Sequence, residues 1–278
     1  MPGRMDPQQE NSMDNRAIGI FDSGLGGLTA VKALRELLPE ENIIYFADSG
    51  RAPYGARPAE QLRRMAVQDM DFVARRGAKA IIAACGTVSS TAPDLLEACP
   101  LPVVGVLQAG TEALARAPGA VLGLIATQAS IDSGAFQRAM ARLCPGREVI
   151  ALACPEFVPL IESGHSSPED PLLKAAVERS LAPLKAAGVS ALLLGCTHYG
   201  IIGRAISDYL GEETLLVSAA AQAARRMRDY LTENGLTGGR GQTEYYTSGR
   251  SEDFSALAGA FLGRELESRP IQVRTMEA

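Results

Sequence analysis

"GVSALLLGCTHYG", residues 188–200, decides how this chain folds. Gly188 closes one segment, a run of aliphatic residues makes up the next, and Cys196, Thr197 and His198 follow at once. An apolar run without alternation marks a strand covered on both faces, as in a parallel sheet. Such sheets bind their ligands beyond the carboxyl ends of the strands, and Cys196 and His198 stand at one of those ends. The chain has five cysteines and two histidines in all, so the pairing is pointed. The pattern also occurs earlier, in "GAKAIIAACGTVSS" (77–90), where a strand again ends in a cysteine, Cys85, with Thr87 close behind.

Working outward, "AIGIF" (17–21), "NIIYFA" (42–47), "VVGVL" (103–107), "VLGLIA" (121–126) and "EVIALA" (148–153) have the same buried-strand character. Between the strands lie amphipathic stretches: "LTAVKALRELL" (28–38), "AEQLRRMAVQDMDFVARRG" (59–77) and "DPLLKAAVERSLAPLKAAG" (170–188). Gly77 and Gly188 occupy the position where helices commonly stop. Strand alternating with helix predicts a parallel α/β sheet. A second loose repeat pairs "IGIFDSGLGG" (18–27) with "LGLIATQASIDSG" (122–134). The expectation is therefore two similar parallel-sheet α/β domains related by pseudo-symmetry, with the active site in the cleft between them. The first would span 17–108 plus 215–265, resumed by "TLLV" (214–217), the helix 219–231 and "TEYYTSG" (243–249). The second would span 109–214, with 1–16 and 266–278 as flexible tails.

Composition narrows the function. The 278 residues are 46% hydrophobic and 21% charged, with a net charge of −5, the profile of an ordinary soluble globular protein. Nucleic-acid binding wants a basic surface, and no apolar run reaches the roughly 18–20 residues of a membrane span. The opening residues lack the apolar core of a signal peptide. An odd number of cysteines without a Cys-x-x-Cys pair favours reduced thiols in the cytoplasm.

Four chemistries compete for the Cys and His residues. Cys-x-His supplies two ligands where zinc wants three or four, and His165 has no cysteine near it in sequence, so no metal is expected. A Cys196–His198 nucleophile forming a thioester leaves Cys85 without a role. The glycines of "FDSGLGGL" at 24, 26 and 27 miss dinucleotide-binding spacing, although the helix N-terminus behind them suits a carboxylate. Two thiols on opposite walls of a cleft suit a fourth reaction. One removes a proton from a carbon and the other returns a proton on the opposite face, inverting the centre without a cofactor. A thiol is mostly un-ionised at neutral pH, so each needs a partner: Asp22 and His198 are the candidates, with Glu162 a third.

"GIFDSGLGGL", "YFADSGRAPYG", "AACGTVSS", "IATQASIDSG", "CPEFVPLIE" and "LGCTHYG" occur in this order between Ile18 and Gly249. Together they resemble the cofactor-independent glutamate racemases of the aspartate/glutamate racemase superfamily. The resemblance implies D-glutamate made for peptidoglycan, and a homodimer in many members. It implies Cys85 and Cys196 as catalytic acid/bases, assisted by Asp22 on one side and His198 with Glu162 on the other. Ser23, Tyr54, Gly55, Thr87, Thr127 and Thr197 fall where the family binds the amino and carboxylate groups. Gly86 stands at the family's substrate-binding Asn. A left-handed turn after Cys85 would favour the glycine, but Asn tolerates that conformation better than most residues, so restoring Asn is expected to keep the fold and lower KM. Gly200 replaces a Pro, Ser218–Ala219 an Asp-Ser pair and Gln108–Ala109 a Glu-Pro pair. A racemase for aspartate or another acidic amino acid, and a non-catalytic amino-acid-binding paralogue, remain as alternatives.

Overall fold

The apolar runs become parallel strands in the computed structural model of the chain, which describes residues 14–262 and 273–275. The strands are β1 (Ala17–Asp22), β2 (Ile43–Ala47), β3 (Ala78–Ala83), β4 (Val103–Gly105), β5 (Val121–Ala126), β6 (Glu148–Ala153), β7 (Ala191–Leu194), β8 (Leu215–Ser218), β9 (Thr243–Thr247) and β10 (Val273–Thr275). They form a six-stranded sheet of order β10-β9-β2-β1-β3-β4 and a four-stranded sheet of order β6-β5-β7-β8. Every pairing is parallel. The arrangement β2-β1-β3-β4 is repeated as β6-β5-β7-β8, so the loose repeat in the sequence is one topology built twice, as two α/β domains. Cys85 follows β3 and Cys196 follows β7, its counterpart.

Central strands are aliphatic because helices cover both faces: every residue of β3 and of β7 is buried. The expectation fails at β6, an edge strand whose residues are mostly half exposed. The helices match their patterns. Asp170 caps Pro171–Ala186 by accepting from the amides of Leu172 and Leu173. Gly77 and Gly188 take φ of 84° and 62°, the left-handed values that glycine reaches without strain. Among the described residues no helix is long and apolar enough to cross a membrane.

Three boundaries are corrected. Leu215–Ser218 does not return to the first sheet; it pairs with Ala191–Leu194 as the edge of the second. The return comes with the helix Ala219–Glu233, whose first turn Ser218 caps through the amide of Ala221. "VVGVL" yields only Val103–Gly105, because the helix Val106–Arg116 starts immediately. Val273–Thr275 is a strand against β9, not tail, while residues 1–13, 263–272 and 276–278, from the expected tails and the end of the expected first domain, lie outside the described residues.

The two helices that follow β4 and β8 are exchanged between the sheets. Val106–Arg116 packs on β7 and on the helix Ala135–Leu143, while Ala219–Glu233 packs on the helix Leu28–Leu37 and reaches β3 and β4. They also pack on each other, at Gly110, where a Cβ would stand 2.9 Å from Leu193 Cδ1 and 3.1 Å from Ala219 Cβ. This crossing ties the two sheets together.

Candidate active site

The turn after β1 is built around its own carboxylate. Asp22 Oδ2 accepts from the amide of Gly27 at 2.8 Å, so an amide at the mouth of the helix Leu28–Leu37 holds a side chain of the chain itself. Gly27 is needed there because a Cβ would lie 2.7 Å from Asp22 Cβ. Burial pushes the Asp22 carboxyl above the usual range, opposed by the charge of His198 and the amides of Gly27, Ser23 and Gly24. Beside it, Cys85 Sγ donates to Ser23 Oγ at 3.5 Å. Burial, then the negative charge of Asp22, push the Cys85 thiol up to about 12.

On the opposite wall Cys196 Sγ lies 3.8 Å from His198 Nδ1, and His198 Nε2 lies 3.1 Å from Glu162 Oε1. The imidazole is thus held at both nitrogens, as an orienting carboxylate does for a histidine paired with a thiol. Glu162 partners the imidazole, and is 41% exposed where His198 is 6%, so this carboxylate is the solvent-facing end of the chain of groups. The edge of Phe261 covers the ring at 5.7 Å. Burial alone would lower His198, but its contacts with Cys196 and Glu162, and the charges of Cys196 and Asp22, raise it to about 10.

That proton couples to stability. Its contribution is complete below the ordinary 6.5 and is lost as pH rises toward about 10, because over that interval the folded protein binds more protons than the unfolded chain. The urea midpoint is expected to fall across this range, and His198→Gln to remove that part of the fall. Cys85 adds a loss above pH 9 common to both proteins. Superimposable pH profiles for the two would show that the ring is not charged.

The two turns touch. Gly86 begins the helix Gly86–Thr91, and a Cβ on it would lie 2.4 Å from the carbonyl oxygen of Gly195 and 3.8 Å from Cys196 Cα. Gly86 is absent from the glycines with positive φ, so the left-handed explanation falls. Close approach is the reason for glycine, and the expectation that Asn would fit is overturned. Gly26 has a similar role: a Cβ would stand 2.3 Å from His198 Nδ1 and 2.4 Å from Thr197 Oγ1. Thr29 Oγ1 reaches across to the carbonyl of Thr197 at 3.2 Å.

Thr87 and Thr127, one from each domain, bring their hydroxyls to 3.2 Å. Thr127 also caps the short helix Gln128–Asp132, and a Cβ on Gly55 would lie 3.8 Å from Thr127 Cβ. Asp22, Cys85, Thr87, Cys196, Thr197 and His198 are all buried. Tyr54 differs from expectation: its hydroxyl meets Asp48 and Asp69, so its side chain is not a free substrate contact. Sequence alone missed both of these carboxylates, although "FADSG" (46–50) placed Asp48 at the end of an apolar run as "AIGIFD" (17–22) places Asp22. His165 pairs with Asp170 at 2.8 Å, apart from the thiols. Among the described residues no three His, Cys, Asp or Glu converge as metal ligands. A cavity of about 470 Å³ lined by Gly24, Ala52, Glu162 and Arg250 leads to the Glu162 side.

The sequence profile of Asp/Glu/Hydantoin racemases matches residues 29–227. A glutamate racemase of Streptococcus equi subsp. equi is 39% identical over 92% of this chain and 98% of its own length. Among solved structures, glutamate racemase from Francisella tularensis in complex with D-glutamate superposes with a TM-score of 0.86 at 33% identity, covering 95% of this chain and 98% of that one. The Thermus thermophilus glutamate racemase in complex with β-chloro-D-alanine gives 0.82 at 37% identity, covering 95% and 98%.

Proposed function

This chain belongs to the Asp/Glu/Hydantoin racemase family, and from that premise we propose that it interconverts L- and D-glutamate, supplying the D-enantiomer for peptidoglycan. The observation that carries the reading is the doubled strand end: Cys85 after β3 and Cys196 after β7, on turns in contact at Gly86 and Gly195. A substrate Cα between them has one thiol on each face.

The steps follow from the groups on each wall. In one direction Cys196 takes the Cα proton, with the imidazolium of His198 stabilising its negative charge. Cys85, which holds its own proton tightly, delivers it to the opposite face. The Cα–H electron pair stays on carbon until the new C–H bond forms, and the two sulfurs exchange protonation states. In the reverse direction Cys85 is the base, and Asp22 beside it is the local carboxyl that can take up proton charge. Ser23, Thr87, Thr127, Thr197 and the amides of Gly55 and Gly86 border the space for the amino and carboxylate groups. Donors fixed in a buried site stabilise developing charge more than solvent does. No step calls for a cofactor or metal.

A chiral assay of glutamate, aspartate and neutral amino acids, on chelator-treated protein without added cofactor, is expected to show inversion of glutamate. Inversion of aspartate alone would replace the substrate, and no Cα exchange with any amino acid would leave a binding protein. In deuterated water the product is expected to acquire deuterium at Cα while remaining substrate stays protonated early. Equal early labelling of both would indicate one shared base.

A further inference from the structure

The buried hydroxyl of Tyr54 sits between two buried carboxyl groups, Oδ2 of Asp48 and Oδ2 of Asp69, the latter at 2.7 Å. Arg51 reaches both, with Nε 2.6 Å from Asp48 and Nη2 2.9 Å from Asp69. Ser248 Oγ donates to the other oxygen of Asp48 at 2.6 Å. A phenol carries one proton and can donate to one carboxylate only, while an ionised carboxylate only accepts. Two short contacts from one hydroxyl therefore require a proton on one of the carboxyls. Asp48 already receives Arg51 and Ser248 as donors, whereas Asp69 receives Arg51 alone, so Asp48 is the charged partner.

We infer that Asp69 is a neutral carboxylic acid donating to the Tyr54 oxygen, and that the chain Asp69–Tyr54–Asp48 is a positioning device for the Tyr54–Gly55 turn. Burial, then the charge of Asp48, push the Asp69 carboxyl well above the usual range, with Asp22 adding to them and Tyr54 and Arg51 opposing. The turn needs such a hold. It is a short 3-10 segment, Tyr54–Ala56, that touches both the helix after Cys85 and the helix after Thr127. Its direct anchors come from the end of β2 and the helix Ala59–Arg75, and the loop after β9 joins through Ser248 on Asp48, so the hydroxyl ties this part of the first domain to a turn that meets the second. The inference rests on the reading that Gly55 and Thr127 border the substrate; the infrared experiment below does not.

Infrared difference spectra of the substrate-free protein near neutral pH are expected to contain the carbonyl stretch of a protonated carboxyl group, absent from Asp69→Asn. A wild-type spectrum without that band overturns the charge assignment. In kinetics Asp69→Leu is expected to raise KM roughly tenfold with kcat nearly unchanged, the effect of losing one hydrogen bond on the turn. Asp69→Asn, whose amide can still donate to Tyr54 and accept from Arg51, is expected to recover the KM. If Asp69→Asn binds as poorly as Asp69→Leu, the donor role is wrong. Should Asp69→Leu fail to fold, Tyr54→Phe replaces it, with the same rise in KM expected and an unchanged KM counting against the positioning role. A protein that shows the band but does not racemise glutamate would refute the proposed function and leave the neutral acid standing.

Discussion

Cys85→Ala and Cys196→Ala are each expected to abolish inversion of glutamate, since loss of one positioned acid/base removes on the order of 10²–10⁴ in rate and inversion needs both faces served. The two variants are also expected to differ from one another. In each, the remaining thiol can still take a proton from its own face and return one to that face, so deuterium enters one enantiomer without inversion. Cys85→Ala should label the enantiomer that presents its proton to Cys196, and Cys196→Ala the other. Both cysteines are buried, and an alanine in either place leaves a small void, so the fold is expected to survive. Either variant racemising at a near-normal rate would remove the two-base mechanism. Labelling of both enantiomers by one variant would show that a single group serves both faces.

Gly86→Asn, and Gly86→Ala as its minimal form, are expected to be strongly deleterious. A Cβ at this position would come to 2.4 Å from the backbone oxygen of Gly195, and backbone cannot swing aside as the end of a side chain can. Relief requires the two turns to separate, and overpacking of this kind costs about 1–3 kcal/mol. The larger effect is on rate, because the turns that would separate carry the two thiols. A displacement of about 1 Å in reacting groups can lower a rate on the order of 10²-fold. The expected signature is a large fall in kcat with a smaller change in KM, measured on protein whose unfolding transition is still cooperative. A Gly86→Asn variant with unchanged kcat and lower KM would restore the view that glycine merely lacks a substrate contact. Gly195→Ala is a related test from the other wall, where a Cβ would meet the carbonyl of Ile125 at 2.9 Å.

Residue patterning carried the architecture a long way. The strands β1, β2, β3, β5 and β7 lie where the aliphatic runs placed them, because a strand covered on both faces must be apolar throughout; β6 lies where its run placed it too, but as a half-exposed edge. Cys85, Cys196, Asp22 and His198 were legible as a set because each stands at or just past the carboxyl end of such a strand, where parallel sheets bind their ligands. Gly26 and Gly27 were visible only as a glycine-rich turn. Their purpose, room for His198, Thr197 and Asp22, depends on atoms brought in from elsewhere.

What the sequence by itself determined is whatever local hydrogen bonding and periodicity dictate: the parallel α/β class, the duplication, the helix ends at Gly77 and Gly188, and a cysteine at each of two matching strand ends. Tertiary structure alone decided that β8 belongs to the second sheet, since an edge strand is claimed by the neighbour with unpaired amides and carbonyls, and four residues of "LLVS" carry no mark of which neighbour that is. It decided that Gly86 faces Gly195, a contact between segments more than 100 residues apart. It also decided that Tyr54 turns to Asp48 and Asp69. A buried polar group must find a partner where the packed chain supplies one, and residue type and spacing do not encode which partner arrives.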